Sequence, residues 1–188
     1  MKTAGLILAA GASSRMGTTK ANLRLNDDTF LTSISKCLLA AGCHQIFIVS
    51  GDSVLNLPES LHHQCSLIKN ENWSLGMRSS IRTGLKHIDA ERICIQPVDT
   101  PGVAIPTVRT LINTQTHDAT VPTFEGLHGH PVVISRRIKN RLLEADDLSL
   151  RTVLKNASTL CIPVNDPAIL HNINTPEAHL KLIEIQAL

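Results

Sequence analysis

The stretch Leu8-Ala9-Ala10-Gly11-Ala12-Ser13-Ser14-Arg15-Met16-Gly17-Thr18-Thr19-Lys20 decides the fold expected for this chain. It continues an apolar run over residues 4–8, which predicts a buried strand beginning close to the N-terminus. The small residues that follow leave backbone N–H groups accessible, and such groups can bind phosphate oxygens. Arg15 and Lys20 add two positive charges beside them. A glycine-containing turn with two cations indicates a polyphosphate ligand such as a nucleotide.

The two best-known phosphate motifs do not explain this stretch. A P-loop has lysine directly after its second glycine, whereas here Gly17 is followed by Thr18. The dinucleotide fingerprint G-x-G-x-x-G is also absent, because Gly11 and Gly17 stand alone. From these residues by themselves, an ordinary connection between a strand and a helix remains an equally good interpretation.

Length and composition indicate one globular domain over residues 1–188. The chain is 43% hydrophobic and 18% charged, which excludes a disordered or fibrous protein. The net charge is only +2, and the basic residues form no stripe of the kind that duplex nucleic acid requires. With no Tyr, one Trp and three Phe, stacking platforms for single strands are not expected either. We therefore expect no nucleic-acid partner.

The five cysteines are scattered, and none forms a C-x-x-C pair. This pattern predicts neither a zinc site nor a disulfide framework. The N-terminus lacks the features of a signal peptide, and no run reaches the ~18 apolar residues of a membrane span. These observations favour a cytoplasmic protein without a membrane partner.

Periodicity predicts strands that alternate with helices along the chain. Predicted strands cover residues 4–8, 45–50, 65–68, 92–98, 119–122, 131–134 and 159–164. Predicted helices cover residues 30–41, 77–87, 106–114, 138–143, 150–154 and 176–186, with a loop or short helix at 55–60. This alternation is typical of an α/β fold, in which a mostly parallel sheet is covered by helices on both faces.

Asp99 follows the predicted strand over residues 92–98, at the end of the sheet where ligands of such folds bind. If this strand lies beside the first one, a carboxylate stands near the proposed phosphate site. Mg²⁺ prefers one or two carboxylates together with substrate phosphates, so the pair of loops suits a magnesium nucleotide. The alternative is that Asp99 caps a turn before Pro101.

Five segments, taken in order, resemble one known family. LAAGASSRMGTTK resembles the signature of the MobA-like nucleotidyltransferases, and more narrowly of the molybdenum cofactor cytidylyltransferases. Further segments are similar to the family's other motifs: NENWSLGMRSSIRTGL (70–85), QPVDTP (96–101), GHPVVIS (129–135) and NINTPEAH (172–179). The matches span nearly the whole chain. The resemblance implies a three-layer α/β/α fold with a Rossmann-like sheet of the nucleotidyltransferase type.

The resemblance also implies roles for individual residues. Those implied to bind the nucleotide are Ala9, Ala10, Gly11, Arg15, Lys20, Gly76 and Ser80. Those implied to act in catalysis are Arg15, Lys20 and Asp99, with Asp99 binding Mg²⁺. Those implied to bind the acceptor are Gly129, His130 and Pro131. Family members that use GTP tend to have L-A-G-G where this chain has L-A-A-G, which favours CTP.

The closing segment departs from the family pattern. The family has D-I-D-T-P where this chain has Asn172-Ile173-Asn174-Thr175-Pro176, so two carboxylates are replaced by amides. At the metal, Asn174 can offer only a carbonyl oxygen, which binds Mg²⁺ more weakly than a carboxylate does. Weaker metal binding, a shifted substrate and lost catalysis all remain open. Asp166 is a candidate to compensate.

Two classes of function follow. The first is transfer of CMP from CTP, or of another nucleoside monophosphate, to molybdopterin, or to another phosphorylated acceptor such as a sugar phosphate. The second is a catalytically weakened carrier that binds nucleotide or pterin and delivers cofactor to a molybdoenzyme. Arg15, Lys20 and Asp99 favour the enzyme, whereas Asn172 and Asn174 favour the carrier.

Overall fold

The computed structural model describes residues 2–11, 19–144 and 147–186. In this part of the chain the strands are β1 (Thr3–Ala9), β2 (Arg24–Leu25), β3 (Asp28–Thr29), β4 (Gln45–Ser50), β5 (Cys65–Lys69), β6 (Arg92–Pro97), β7 (Ala119–Phe124), β8 (Leu127–His128), β9 (Val132–Ser135) and β10 (Thr159–Pro163). The helices are α1 (Phe30–Ala41), α2 (Met77–Lys86), α3 (Ile105–Asn113), α4 (Arg136–Glu144), α5 (Leu150–Lys155) and α6 (Pro176–Gln186). These bounds agree with the predicted elements to within about two residues, while the small strands β2, β3 and β8 were not predicted.

The central sheet has the strand order β10-β7-β9-β6-β1-β4-β5, and β8 pairs with β7. Strand β1 runs parallel to β4 and β6, as do β4 to β5 and β7 to β10. Strand β9 is antiparallel to both β6 and β7. Only residues 125–131 separate β7 from β9, and a connection this short is too brief for a parallel crossover. The predicted mostly parallel sheet is confirmed.

Helices cover both faces of this sheet. Alternate residues of β1 point to opposite faces, and the buried apolar side chains on each face pack against a separate layer of helices. Ile7 and Ala9 pack in the core layer that also contains buried residues of α1 and α3. Leu6 and Leu8 pack in the opposite layer, with buried residues of α2 and α4. The three-layer α/β/α arrangement is therefore confirmed.

Helix α1 illustrates how local sequence sets the bounds of an element. The hydroxyl of Thr29 accepts a hydrogen bond from the backbone N–H of Thr32 at 3.2 Å, which satisfies one free donor of the first turn. Gly42 ends the helix with φ of 120°, a left-handed conformation that glycine adopts without steric cost. The apolar side chains between these caps, including Phe30 and Leu38, lie in the core. Within the described residues, we find no helix long and apolar enough to cross a bilayer.

Candidate active site

The candidate site lies at the carboxyl ends of β1 and β6, which are neighbours, so the condition set for a joint site is met. Leu8 pairs with Pro97 in the parallel register, and the N–H of Val98 donates to the carbonyl of Leu8 at 3.1 Å. The chain leaves β1 through Ala10 and leaves β6 towards Asp99, so both loops emerge at the same edge. A cavity of about 350 Å³ opens between them.

The cavity collects residues from three distant parts of the sequence. Of the residues implied to bind a nucleotide, it is lined by Ala9, Ala10, Gly11, Lys20, Gly76 and Ser80. Asp99 lines it as well. Arg15, the remaining residue with a predicted role in catalysis and nucleotide binding, lies outside the described residues. The structure therefore brings together the two predicted loops and the start of α2, from the segment that follows β5.

Lys20 lies between the two residues predicted to hold a metal. Its Nζ donates to Asp99 Oδ2 at 3.4 Å and also to Asn174 Oδ1. The side chains of Lys20 and Asp99 are 17% and 26% exposed, so their ion pair is partly shielded from water. Asp99 and Asn174 are 75 positions apart in sequence (174 − 99), yet their oxygens face the same ammonium group. Each of these three side chains can therefore reach a ligand in or beside the cavity.

The segment around Ile173 fastens the C-terminal part of the chain to the loop after β6. The N–H of Ile173 donates to the carbonyl of Asp99 at 2.7 Å. Asn172 Oδ1 accepts from the hydroxyl of Thr100 at 3.4 Å, and the side chain of Ile173 is buried. These contacts place Asn174 against Lys20. Asn172 has a different role, since its amide holds the turn that carries Asp99.

The donor set fits a magnesium ion only in partnership with phosphate. Within the described ranges, no three His, Cys, Asp or Glu side chains converge in a way that could hold a metal. Asp99 Oδ2 and Asn174 Oδ1 nevertheless both contact the ammonium group of Lys20, and both are hard oxygen ligands. Mg²⁺ commonly uses one or two protein oxygens plus substrate phosphates. This pair is therefore suited to a metal that arrives with a polyphosphate.

Asp166 does not take the place of the missing carboxylates. Its Oδ2 accepts from the N–H of Ala104 at 2.9 Å and the hydroxyl of Thr107 at 2.7 Å, both at the start of α3. Its Oδ1 accepts from the N–H of Ala168 at 3.1 Å. A buried carboxylate with these partners stabilises the N-terminus of α3. The hypothesis that Asp166 compensates for Asn174 is therefore wrong.

The wall formed by the start of α2 depends on a glycine. Gly76 has φ of 89° and ψ of −173°, a backbone conformation that other residues adopt only with strain. Helix α2 begins at the next residue, Met77, and its N-cap residue Gly76 has no side chain that could bond to the first-turn N–H groups. The first-turn N–H groups of the helix thus lie beside the cavity, where the positive end of the helix dipole favours an anion or a hydrogen-bond acceptor.

Two residues that sequence reasoning did not assign to the site build this wall. Asn70 is 2% exposed, and its side-chain amide forms hydrogen bonds with Asn72, Ser79, Ser80 and Thr83. Trp73 lines the cavity, and its Nε1 donates to Asp52 Oδ2 at 2.8 Å. Both belong to the N-x-x-W-x-x-G-M segment quoted above. Their place in that motif was the available signal.

The predicted acceptor-binding residues lie outside the cavity lining, on the loop that enters β9. Gly129 is buried against Ile169, whose carbonyl oxygen would come within 2.5 Å of a Cβ at this position. His130 donates its N–H to the same carbonyl at 2.9 Å, and its peptide bond to Pro131 is cis.

The imidazole of His130 is distinctive in its surroundings. Burial lowers its pKa, and the negative charge of Asp99 acts in the opposite direction. Its Nδ1 is buried and has no hydrogen-bond partner within the described part of the chain. Burial therefore favours the neutral form of this imidazole, which lies near Asp99.

Comparison with known proteins identifies the relatives of this chain. The sequence pattern of the MobA-like NTP transferase domain matches residues 5–160. The molybdenum cofactor cytidylyltransferase of Escherichia coli is 26% identical over 176 residues, covering 92% of this chain and 91% of that protein. A probable molybdenum cofactor guanylyltransferase of Bacillus mycoides is 27% identical over 193 residues, with 96% and 95% covered. The nicotine blue oxidoreductase of Paenarthrobacter nicotinovorans is also 26% identical, with 95% of each chain covered.

Solved structures have the same fold. A nucleotidyl transferase from Methanothermobacter superposes with a TM-score of 0.83 at 18% identity, covering 100% of this chain and 99% of that one. The protein Rv0371c of Mycobacterium tuberculosis, solved as a complex with manganese, gives a TM-score of 0.75 at 20% identity, with 98% and 99% covered. With the family pattern matched over most of its length, the chain belongs to the MobA-like NTP transferase domain family.

Proposed function

We propose that this protein transfers CMP from CTP to a phosphorylated acceptor, molybdopterin, and releases pyrophosphate. The observation that carries the proposal is the contact of Lys20 with both Asp99 and Asn174 beside the cavity. A cation and two oxygen ligands at this position match what a metal-bound triphosphate requires. The proposed functional unit is a single domain over residues 1–188. Asn174 supports this extent because it reaches the site from beyond the matched residues 5–160.

In the proposed reaction, an oxygen of the acceptor phosphate attacks the α-phosphorus of CTP. A new P–O–P bond forms, and the bond from the α-phosphorus to the β-phosphate oxygen breaks, so pyrophosphate leaves with the displaced electron pair. Because the nucleophile belongs to the acceptor, the protein has only to align the two phosphates and neutralise their charge. The transfer therefore requires no nucleophilic side chain from the protein.

Each residue around the cavity then has a defined task. The backbone N–H groups at Ala10 and Gly11 bind phosphate oxygens, and Lys20 supplies a point charge to the triphosphate. Arg15, from the same stretch of sequence, supplies a second cation that can form bidentate hydrogen bonds to phosphate. Asp99 and Asn174 would hold Mg²⁺, which would neutralise phosphate charge when bound with the nucleotide.

Ala10 supports CTP as the donor. Family members that use GTP tend to have glycine at this position, where this chain has an alanine that lines the cavity and is 6% exposed. The alanine therefore favours CTP. The cytidylyltransferase and guanylyltransferase relatives are equally distant at 26–27% identity, so this side chain, and not overall similarity, supports the choice.

The acceptor is proposed to approach from the side of Gly129, His130 and Pro131. The position of His130 near Asp99 supports this direction. A phosphate there would approach the α-phosphorus of a nucleotide whose triphosphate is bound by Gly11 and Lys20. Five free cysteines and the absence of disulfides among them are consistent with a reducing, cytoplasmic setting for this chemistry.

A second candidate is a carrier that binds nucleotide or pterin and delivers cofactor to a molybdoenzyme. The amide at position 174 favours it, since an amide binds a metal more weakly than the carboxylate of the family pattern. Pyrophosphate release separates the two functions. Purified protein is incubated with molybdopterin, Mg²⁺ or Mn²⁺, and CTP, GTP, ATP or UTP in turn.

We expect pyrophosphate release to be fastest with CTP, and to occur only when molybdopterin is present. Release with GTP instead would preserve the enzyme and overturn the choice of base. Release with CTP and a sugar phosphate but not with molybdopterin would overturn the acceptor. Nucleotide binding without release under any of these conditions would leave the carrier as the function.

A further inference from the structure

Asn70 forms the centre of a buried hydrogen-bond network behind the cavity wall. It lies directly after β5, with 2% of its surface exposed. Its Oδ1 accepts from the backbone N–H of Asn72 at 3.0 Å and from the hydroxyl of Thr83 at 3.3 Å. Its Nδ2 lies 2.9 Å from Ser79 Oγ and 3.0 Å from Ser80 Oγ. All four positions of the amide are thereby used.

The orientation of this amide is determined by the backbone. A main-chain N–H can only donate, so the atom facing Asn72 must be the carbonyl oxygen of Asn70. The atom facing the two serines is then the NH₂ group, which can only donate. Consequently both serine oxygens accept a hydrogen bond from Asn70, and their own hydroxyl protons remain for other partners.

The two serines use their remaining protons differently. Ser79 donates to the carbonyl of Asn72 at 2.8 Å and lies 3.0 Å from that of Gly76, so its proton is used inside the protein. Ser80 lines the cavity, and Asn70 is the hydrogen-bond partner of its hydroxyl within the described residues. Its proton is therefore available to a ligand in the cavity.

We propose that Asn70 is a positioning residue that makes the Ser80 hydroxyl a hydrogen-bond donor to the nucleobase. This inference rests on the proposed function and on the family resemblance, which implies that Gly76 and Ser80 at the start of α2 approach the base. The first-turn N–H groups of α2 are donors too, so this wall presents donors to its ligand. It selects bases that place a ring nitrogen or a carbonyl oxygen there and disfavours an exocyclic amino group at the same point.

The test separates recognition of the base from recognition of the triphosphate. The affinities of CTP and GTP are compared with that of ribose 5-triphosphate, which lacks a base, by isothermal titration calorimetry. The base preference is the dissociation constant of ribose 5-triphosphate divided by that of CTP or of GTP. Ser80→Ala should lower the preference for the better-bound nucleotide about fivefold, as loss of one hydrogen bond implies. Ser80→Thr, which retains a hydroxyl, should restore it.

Asn70→Asp tests the positioning role. The introduced carboxylate accepts hydrogen bonds, so Ser80 turns its proton away from the base and the preference should again drop about fivefold. The added charge repels both ligands and cancels in the ratio. In the double variant with Ser80→Ala no further loss should occur, because Asn70 acts through that hydroxyl.

Ser79→Ala is the matched control. Ser79 accepts from the same NH₂ group and lies on the same helix turn, but it does not line the cavity. It should leave the base preference unchanged, with melting temperatures verifying that each variant is folded. An unchanged preference in Ser80→Ala, or equal losses in Ser79→Ala and Ser80→Ala, would overturn the inference while leaving the proposed function intact. If the unsubstituted protein binds no nucleotide, the proposed function is overturned and this inference with it.

Discussion

The two ends of the central strands use polar side chains in opposite ways. At the amino end, Arg92 begins β6 opposite Thr3 of β1 and is 2% exposed. Its guanidinium donates to the carbonyls of His117 at 2.6 Å and Thr114 at 3.0 Å. At the carboxyl end, Lys20 and Asp99 bond to other side chains beside a cavity.

The two ends differ in the partners of their charged groups: Arg92 bonds to backbone carbonyls, whereas Lys20 pairs with a carboxylate. Arg92 completes the hydrogen bonds of carbonyls between α3 and β7, and burial lowers its pKa without any ligand being involved. The ammonium group of Lys20 instead pairs with the carboxylate of Asp99 and offsets its charge. A phosphate could replace that carboxylate with little cost to the fold, whereas nothing in the interior could replace Arg92. Charge that balances charge beside a cavity is therefore the better indicator of function.

Substitution of Lys20 should have the largest effect on activity. Lys20→Ala removes the cation that the proposal places on the triphosphate, and should lower the rate of pyrophosphate release by about 10²–10³-fold. The unfolding midpoint should change little, since the partly exposed ion pair contributes little to stability. Lys36→Ala is the control, because Lys36 forms an exposed ion pair with Asp28 away from the cavity. A nearly unchanged rate in Lys20→Ala would remove this residue from the mechanism.

Substitution at the opposite end should affect stability instead. Arg92→Met leaves two carbonyls without donors and should lower the free energy of unfolding by about 2–4 kcal/mol. Urea denaturation measures this loss, and the protein that remains folded should bind CTP with unchanged affinity. Arg136→Met is the matched control, since Arg136 pairs with the exposed Asp89 and should cost under about 0.5 kcal/mol. Equal losses for the two arginines would contradict the structural role of Arg92.

Substitution of Asn174, the amide at the proposed metal-binding position, should have a smaller effect in the opposite direction. Asn174→Asp restores a carboxylate beside Lys20 and should tighten Mn²⁺ binding in the presence of CTP roughly tenfold, because added ligand charge strengthens an oxygen site. Electron paramagnetic resonance of free Mn²⁺ gives the dissociation constant directly. Asn172→Asp serves as the control, as its side chain bonds to Thr100 rather than to Lys20. Tighter binding in both variants would indicate a general charge effect and not a ligand at position 174.

The reactivity of two cysteines compares the interior of the protein with its surface. Labelling of these cysteines should have the smallest effect on function, since neither lines the cavity. Burial raises the pKa of the Cys37 thiol to about 11, while Cys161 is exposed. Below its pKa, the thiolate fraction rises tenfold per pH unit, so labelling of Cys37 by a disulfide reagent should keep accelerating until about pH 11. At neutral pH Cys161 should react first, and Cys161→Ser should remove the fast phase. Rapid labelling of Cys37 at pH 7 would show that α1 opens readily.

Local patterns were sufficient to predict most elements of the fold. The bounds of α1 follow from its apolar spacing and from Gly42, and β6 was evident as a continuous apolar run. Strands β2 and β3 were missed because two residues carry no periodicity. The antiparallel direction of β9 was not predicted either, since it depends on which strand lies beside it.

The candidate site was predictable where it depends on strand ends and less so elsewhere. Loops after neighbouring parallel strands must meet, so the residues around Gly11 and Asp99 could be paired from the sequence. Asn70 could not be singled out, because its importance comes from four partners that only folding brings together. Asp166 was misread for the same reason, as proximity in sequence to Asn174 did not reveal that α3 uses its carboxylate.

The sequence by itself determined the layered α/β fold, because hydrophobic periodicity and glycine caps act over a few residues. It also determined the kinds of chemical group at the edge of the sheet, since those are set by composition at strand ends. Only the tertiary structure decided which groups face one another: Lys20 between Asp99 and Asn174, and Asn70 behind Ser80. Such contacts join positions far apart in the chain, and their geometry depends on the packing of whole elements.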